Sequence, residues 1–215
     1  MFDTQIAGRH MGATAVVFGT GPSLHLYDGR FNDSSILIGS NEIIHYRLCT
    51  MDYYFIGDGG NASRGFYSNS LAYCGYSANI SKFIRLPPKN RCSHYKTLPL
   101  NLSGFQYYNV DFETSMKDDP FSLCPDSLVD AGSITFDILQ FCLIAGFKKI
   151  YLVGHDCDYS NGSFFSKVDL ATQEWSNVIL KNWINFKNYQ LKMYPSVQIF
   201  VVNPVKMNYF DSITN

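Results

Sequence analysis

The sequence predicts a single α/β domain of Rossmann-like type spanning residues 1–215, a mainly parallel sheet flanked by helices. Three observations carry that prediction. Several short apolar runs rich in β-branched and aromatic residues read as strands buried on both faces. Stretches of helical periodicity separate the later ones. Most of the strand runs also stop at small or hydrogen-bonding residues, where a parallel sheet collects its ligands.

In chain order, residues 14–18 (Thr-Ala-Val-Val-Phe) form the first run and stop at Gly19-Thr20-Gly21-Pro22-Ser23. Residues 35–39 form the second and stop at Ser40-Asn41, and residues 52–57 the third, ending at Asp58-Gly59-Gly60. Residues 82–86 make a fourth strand closed by Pro87-Pro88, and residues 106–110 a short one within the irregular stretch 87–131. From Gly132 the pattern becomes helical. Ile134, Ile138, Phe141, Cys142 and Ala145 share a face, and Gly146 is the stop. Residues 149–153 (Lys-Ile-Tyr-Leu-Val) return to strand and end at Gly154-His155-Asp156. Residues 173–194 read as a long amphipathic helix with Trp175, Ile179, Trp183 and Phe186 on one side. Residues 197–202 make the last strand, ending at Asn203-Pro204.

Composition narrows the class. Of 215 residues, 46% are hydrophobic and 16% charged, with a net charge of −1. No basic surplus exists to hold nucleic acid, so that partner is not expected. Six cysteines without a Cys-x-x-Cys pair read as free thiols. No apolar stretch approaches the roughly 20 residues of a membrane helix, and no leader pattern opens the chain, so a cytoplasmic protein is expected.

The strand ends hold the chemistry. Gly19, Thr20, Gly21, Pro22 and Ser23 read either as a tight turn or as a phosphate site. In the second case backbone N–H groups approach the anion, a helix starts behind them, and Ser23 is its cap or a donor. Asn41 either holds a turn or contacts a base or ribose. Asp58, between open backbone positions, binds a ribose hydroxyl or metal, or caps. Gly132 and Ser133 form an anion site at a helix start, or merely its cap. Asp156 and Asp158 carry hard oxygens suited to Mg²⁺, the one cofactor the sequence leaves open. Equally, Asp156 accepts backbone N–H bonds and holds its loop. His155 is a general-base candidate from its ordinary pKa, or a structural histidine.

These pieces, in this order, resemble the bacterial sialyltransferases that use CMP-sialic acid. The matching residues are Gly19-Thr20-Gly21-Pro22-Ser23-Leu24, Asn41, Gly132-Ser133, Ile150 through Asp156 with its Gly-x-Asp end, and Asn161-Gly162-Ser163. Residues 197–204 resemble that family's final strand. The Gly-x-Gly-Pro-Ser-Leu opening, the Gly-x-Asp end and Asp52-Tyr53-Tyr54 running to Asp58 also resemble the motility accessory factor proteins and the archaeal-type 6-hydroxymethylpterin pyrophosphokinases. The first resemblance implies a glycosyltransferase with a nucleotide-sugar donor and a carbohydrate acceptor. The second implies ATP-dependent pyrophosphoryl transfer to a pterin. A non-catalytic nucleotide-binding protein that keeps the fold is a third reading, which the short interval at residues 160–172 favours. Each is compatible with a homo-oligomer. The sialyltransferases carry a catalytic histidine and phosphate-binding tyrosines around a lid. Here residues 160–172 contain no histidine, Phe164-Phe165 stands where a tyrosine is expected, and Tyr159 is the only nearby phenol. His155, Asp156 and Asp58 then remain as catalytic candidates, His155 on position alone.

Overall fold

The computed structural model describes residues 6–46, 49–57, 80–85, 104–111, 118–122, 128–158 and 173–214. Its sheet strands are β1 (Thr14–Phe18), β2 (Ile36–Ser40), β3 (Tyr53–Ile56), β4 (Ser81–Arg85) and β5 (Phe105–Tyr108). A two-stranded ribbon of β6 (Val110–Asp111) and β7 (Leu128–Val129) precedes helix α1 (Ile134–Ala145). Then come β8 (Lys149–Val153), helix α2 (Gln173–Met193), β9 (Gln198–Val202) and β10 (Asp211–Ile213). The main sheet runs β10-β9-β8-β1-β2-β3-β4-β5, and every neighbouring pair is parallel.

Side chains alternate along a strand, so each buried strand feeds two cores. Ala15, Val17, Ile38, Phe55, Phe83 and Leu152 join one cluster with Phe136 and Phe141 of α1 and Trp183 and Phe186 of α2. Val16, Phe18, Leu37, Val153 and Val202 join the other with Leu24, Tyr27, Ile43 and Tyr46. Both described helices therefore cover one face. The other face is covered by short 3-10 turns at Pro22–Leu26 and Asn41–His45. The right-handed crossover rule accounts for the split. Connections running toward β3 pass over one face, and the β8-to-β9 connection, running the opposite way, passes over the other.

Helix α1 is more buried than a one-faced pattern predicts, because it packs on the sheet and Phe136 also meets Trp183 and Phe186 of α2. Its ends follow the sequence rules. Ser133 caps it by accepting the Thr135 N–H at 3.4 Å, and Gly146 closes it at φ +87°, its N–H meeting the Leu143 carbonyl at 3.2 Å. Gln140, buried within it, both donates to the Val129 carbonyl and accepts the Val129 N–H, fixing the β6–β7 ribbon to the helix.

The helix expected directly behind the β1 turn is a five-residue 3-10 turn instead, Pro22–Leu26 with Gly21 at its cap position. So Ser23 is not the cap. Residues 22–26 offer only Leu24 to the core with any depth, too little apolar periodicity to sustain a longer helix. No helix among the described residues is long and apolar enough to cross a membrane. Cys49, Cys142 and Cys157 are free thiols. Burial raises the Cys49 thiol to about 11 and Cys142 further still, which makes both unreactive.

Candidate functional site

The chain leaves β1 toward β2, β3, β4 and β5, then returns to place β8 on the other side of β1. The carboxyl ends of β1 and β8 thus form the switch point at which sheets of this kind open a crevice. A cavity of about 90 Å³ lies there, lined by Gly19, Thr20, Gly21, Ser133, Thr135 and residues 154–158, with Trp183 closing it from α2.

Two loops cross at backbone contact to make its floor. Gly19 donates its N–H to the Val153 carbonyl and Gly21 donates to the Gly154 carbonyl, both at 2.8 Å. A Cβ on Gly19 or on Gly21 would lie 2.6 Å from the Gly154 oxygen, and one on Gly154 would lie 2.6 Å from the Gly19 oxygen. Gly154 also holds φ at +69°. The glycines are thus required by loop-on-loop packing, and their N–H groups are already used within the protein. The donors left facing the cavity come from elsewhere. Neither the Thr20 N–H nor its hydroxyl has a partner among the described residues, and Pro22 has no N–H to offer.

Asp156 locks the turn. It is 4% exposed, and its Oδ2 accepts the Ser23 N–H at 2.7 Å while Oδ1 accepts the Ser23 hydroxyl. Of the two sequence readings, this geometry is that of a carboxylate bonded to a loop. Asp158 pairs with Lys206 at 2.9 Å. A Mg²⁺ ion between the two aspartates would have to displace Ser23 and Lys206. Among the described residues no three His, Cys, Asp or Glu side chains converge as a metal site.

His155 is 8% exposed. Its Nε2 lies 3.3 Å from Thr135 Oγ1, and its ring stands edge-on to Trp183 with 6.1 Å between centroids. Burial pulls its pKa down to about 4, the Val153 backbone acting weakly in the opposite direction. The imidazole is therefore neutral at pH 7 and a weak base, further from neutrality than its unperturbed pKa implied. A stability prediction follows. The unfolded chain takes up the proton near pH 6.5 and the folded chain only near 4, so this group's stability is present above 6.5 and is lost as pH falls toward 4. The loss should reach roughly 2–3 kcal/mol. Urea titrations at stepped pH should show a smaller acid slope for His155→Gln than for the unsubstituted protein.

The other expected residues sit on adjacent ends. Ser133 caps α1 at the cavity wall, and Gly132, at φ +89°, donates its N–H to Asp130 at 3.0 Å. Asn41, at φ +47°, accepts the Tyr54 hydroxyl on its carbonyl and the Gly57 N–H on Oδ1 at 3.3 Å. It braces β2 to β3 and leaves its Nδ2 donors without a partner among the described residues. Asp58 and Tyr159 lie outside the described residues, as do Asn161-Gly162-Ser163 and Phe164-Phe165.

Sequence reasoning passed over a buried charge network beside this site. Arg85, closing β4, places Nε 3.1 Å from Asp137 Oδ2 and Nη1 3.5 Å from Asp130 Oδ1. Tyr108 donates its hydroxyl to Asp137 at 2.9 Å. Asp130 also takes the Gly132 N–H, so the network fixes the turn that starts α1. The available signal was an arginine ending a strand run and an aspartate among the apolar residues of α1. The segment after β9 is a second omission. Asn203 donates to the Leu26 carbonyl, and the Lys206 N–H reaches the Asp156 carbonyl at 3.0 Å, fastening this segment to the site.

No protein-family model and no curated sequence matches this chain. Solved structures do. The sialyltransferase CstII from Campylobacter jejuni, in complex with the substrate analogue cytidine-5'-monophosphate, matches with a TM-score of 0.50 and 14% identity, over 89% of this chain and 80% of that one. A single-site variant of CST-II in complex with CMP matches with a TM-score of 0.50 and 12% identity, over 88% and 80%. The fold is sialyltransferase-like. At this identity the likeness concerns the path of the chain, and the pyrophosphokinase side of the resemblance rests on the short motifs alone.

Proposed function

We propose that this protein is a nucleotide-dependent transferase, specifically a glycosyltransferase that takes a sugar from a nucleotide-sugar donor at the β1/β8 switch point. The observation that carries the reading is the cavity between these strand ends, with neutral donors from Thr20, Ser133 and Thr135 and the start of α1 beside it. The sialyltransferase-like fold and the CMP bound by those neighbours support it. In this reading Thr20 and Ser133 meet the donor's phosphate. Gly19, Gly21, Pro22 and Ser23 shape the turn, with Asp156 as the carboxylate that holds it. Asn41 offers its side-chain amide to the base or ribose, Gly132 sets the helix start, and Asp58 and Tyr159 complete the site from the third strand's end and from the segment after β8.

The chemical need in such a transfer is to stabilise negative charge growing on the leaving phosphate. Prearranged neutral donors supply that without reorganisation. Neutral His155 would act by donating or accepting one hydrogen bond through Nε2 beside Thr135, keeping the wall dry and ordered. A thermal-shift and turnover panel of CMP-, UDP- and GDP-sugars tests the proposal. Stabilisation and hydrolysis or transfer with one of them is expected. No response to any of them overturns it, and Mg²⁺-dependent stabilisation by ATP alone would move the reading to pyrophosphoryl transfer.

A further inference from the structure

The cavity has a charge problem. Among the described residues that line it there is no lysine or arginine, and its one histidine, His155, is buried against Thr135 and Trp183, while Asp156 and Asp158 both contribute carboxylates. Asp156 is satisfied by neutral donors from Ser23, so its negative charge stays where a phosphate is to bind. Neutral donors orient a phosphate there, and a cation close by would offset its repulsion from these carboxylates.

The nearby described cations differ in their freedom to respond. Arg85 is 9% exposed and held between Asp130 and Asp137, where leaving would strand two buried carboxylates. Lys206 is placed otherwise. Its backbone N–H is bonded to the Asp156 carbonyl, which anchors it at the mouth of the site. Its side chain is 61% exposed, and its ammonium pairs with Asp158, a residue of the cavity wall. The ammonium end of this pair is exposed, while the Asp158 carboxylate is only 9% exposed, so the lysine has room to move but the carboxylate is costly to leave without its cation. An ammonium with three donors can reach a phosphate at the cavity wall and keep Asp158 as a partner. The flexible four-carbon stem lets the ammonium turn about a fixed backbone position.

We propose that Lys206 is the phosphate-binding cation of this site, held by Asp158 and extended to bridge that carboxylate and the ligand's phosphate on binding. The inference rests on the nucleotide reading above and adds to it the residue that supplies positive charge. Its expected marks are dependence on the phosphate and on salt, since an exposed ammonium–phosphate contact weakens as ionic strength rises.

The test is isothermal titration of the full chain and of Lys206→Met and Lys206→Arg with CMP, UMP, GMP and AMP, each beside its nucleoside. For the nucleotide that binds, Lys206→Met should weaken affinity roughly 5- to 10-fold at low salt, and the difference should shrink at high salt. Lys206→Arg should keep most of the affinity, and nucleoside affinity should be equal in all three proteins. Unchanged nucleotide affinity in Lys206→Met overturns this inference alone. So does an equal loss for nucleotide and nucleoside, which marks a change of shape and not of charge. A full chain that binds none of the four overturns the nucleotide reading and this inference together.

Discussion

Replacing Arg85 with methionine is expected to destabilise the protein by about 3–5 kcal/mol, measured by urea denaturation at pH 7. Methionine fills much of the same space but removes the cation shared by Asp137, which is wholly buried, and Asp130, which is 8% exposed. Tyr108 still donates its hydroxyl to Asp137, yet a neutral donor does not replace a cation beside a desolvated charge. The pH dependence gives the mechanism away. An uncompensated buried carboxylate favours its protonated form, so the variant's deficit should shrink as pH is lowered and grow as it rises. Adding Asp137→Leu to Arg85→Met should recover part of the loss. A deficit independent of pH would mean that lost packing, not lost charge pairing, is responsible. Because Asp130 also holds the Gly132 N–H, the same variant should loosen the start of α1 and weaken nucleotide binding.

Gly154→Ala is the second large effect. The residue holds φ at +69°, which costs an alanine about 1–2 kcal/mol. Its Cβ would also lie 2.6 Å from the Gly19 backbone oxygen, and backbone cannot turn aside as a side chain can. The two strand-end loops must part, breaking the Gly21-to-Gly154 hydrogen bond. A loss of about 2–4 kcal/mol in denaturation is expected, with nucleotide affinity down more than about 10-fold. Gly12→Ala is the control. It shares a left-handed φ, +79°, but a Cβ there meets nothing within 4 Å. It should show the strain cost without the binding loss. Equal binding losses in both variants would disconnect the loop crossing from the site.

Much of the sheet was legible because burial on both faces writes itself into the sequence. β1 and β8 were read to the residue, as continuous apolar runs bounded by a glycine turn and a polar end. β10 was missed because Asp211–Ile213 is short and largely exposed, so no apolar pattern marks it. The ribbon β6–β7 was missed for its two-residue strands. Strand order was not legible at all, since the β1–β8 pairing joins residues 135 apart, as in Thr14 with Lys149.

The site was legible as a set of strand ends but not in its internal roles. Gly19 and Gly21 stood open between a tight turn and a phosphate site, and their N–H groups are spent on β8 and its loop. The sequence signal was the same for both outcomes, because a glycine is needed wherever backbone comes close to anything. Asp156 was located, but that it grips Ser23 depends on a contact across 133 residues. Arg85 with Asp137 and Lys206 with Asp158 are likewise pairs made only by the fold. His155 carried its position in the sequence but not its burial, and burial is what sets its protonation.

Crystal structures of the protein soaked separately with CMP, UMP, GMP and AMP test the nucleotide site. One of the four is expected at the carboxyl ends of β1 and β8, with its phosphate against Thr20 and Ser133 and the Lys206 ammonium reaching it from beside Asp158. Binding of each only elsewhere, or a cleft that stays empty with all four at saturating concentration, contradicts the nucleotide reading.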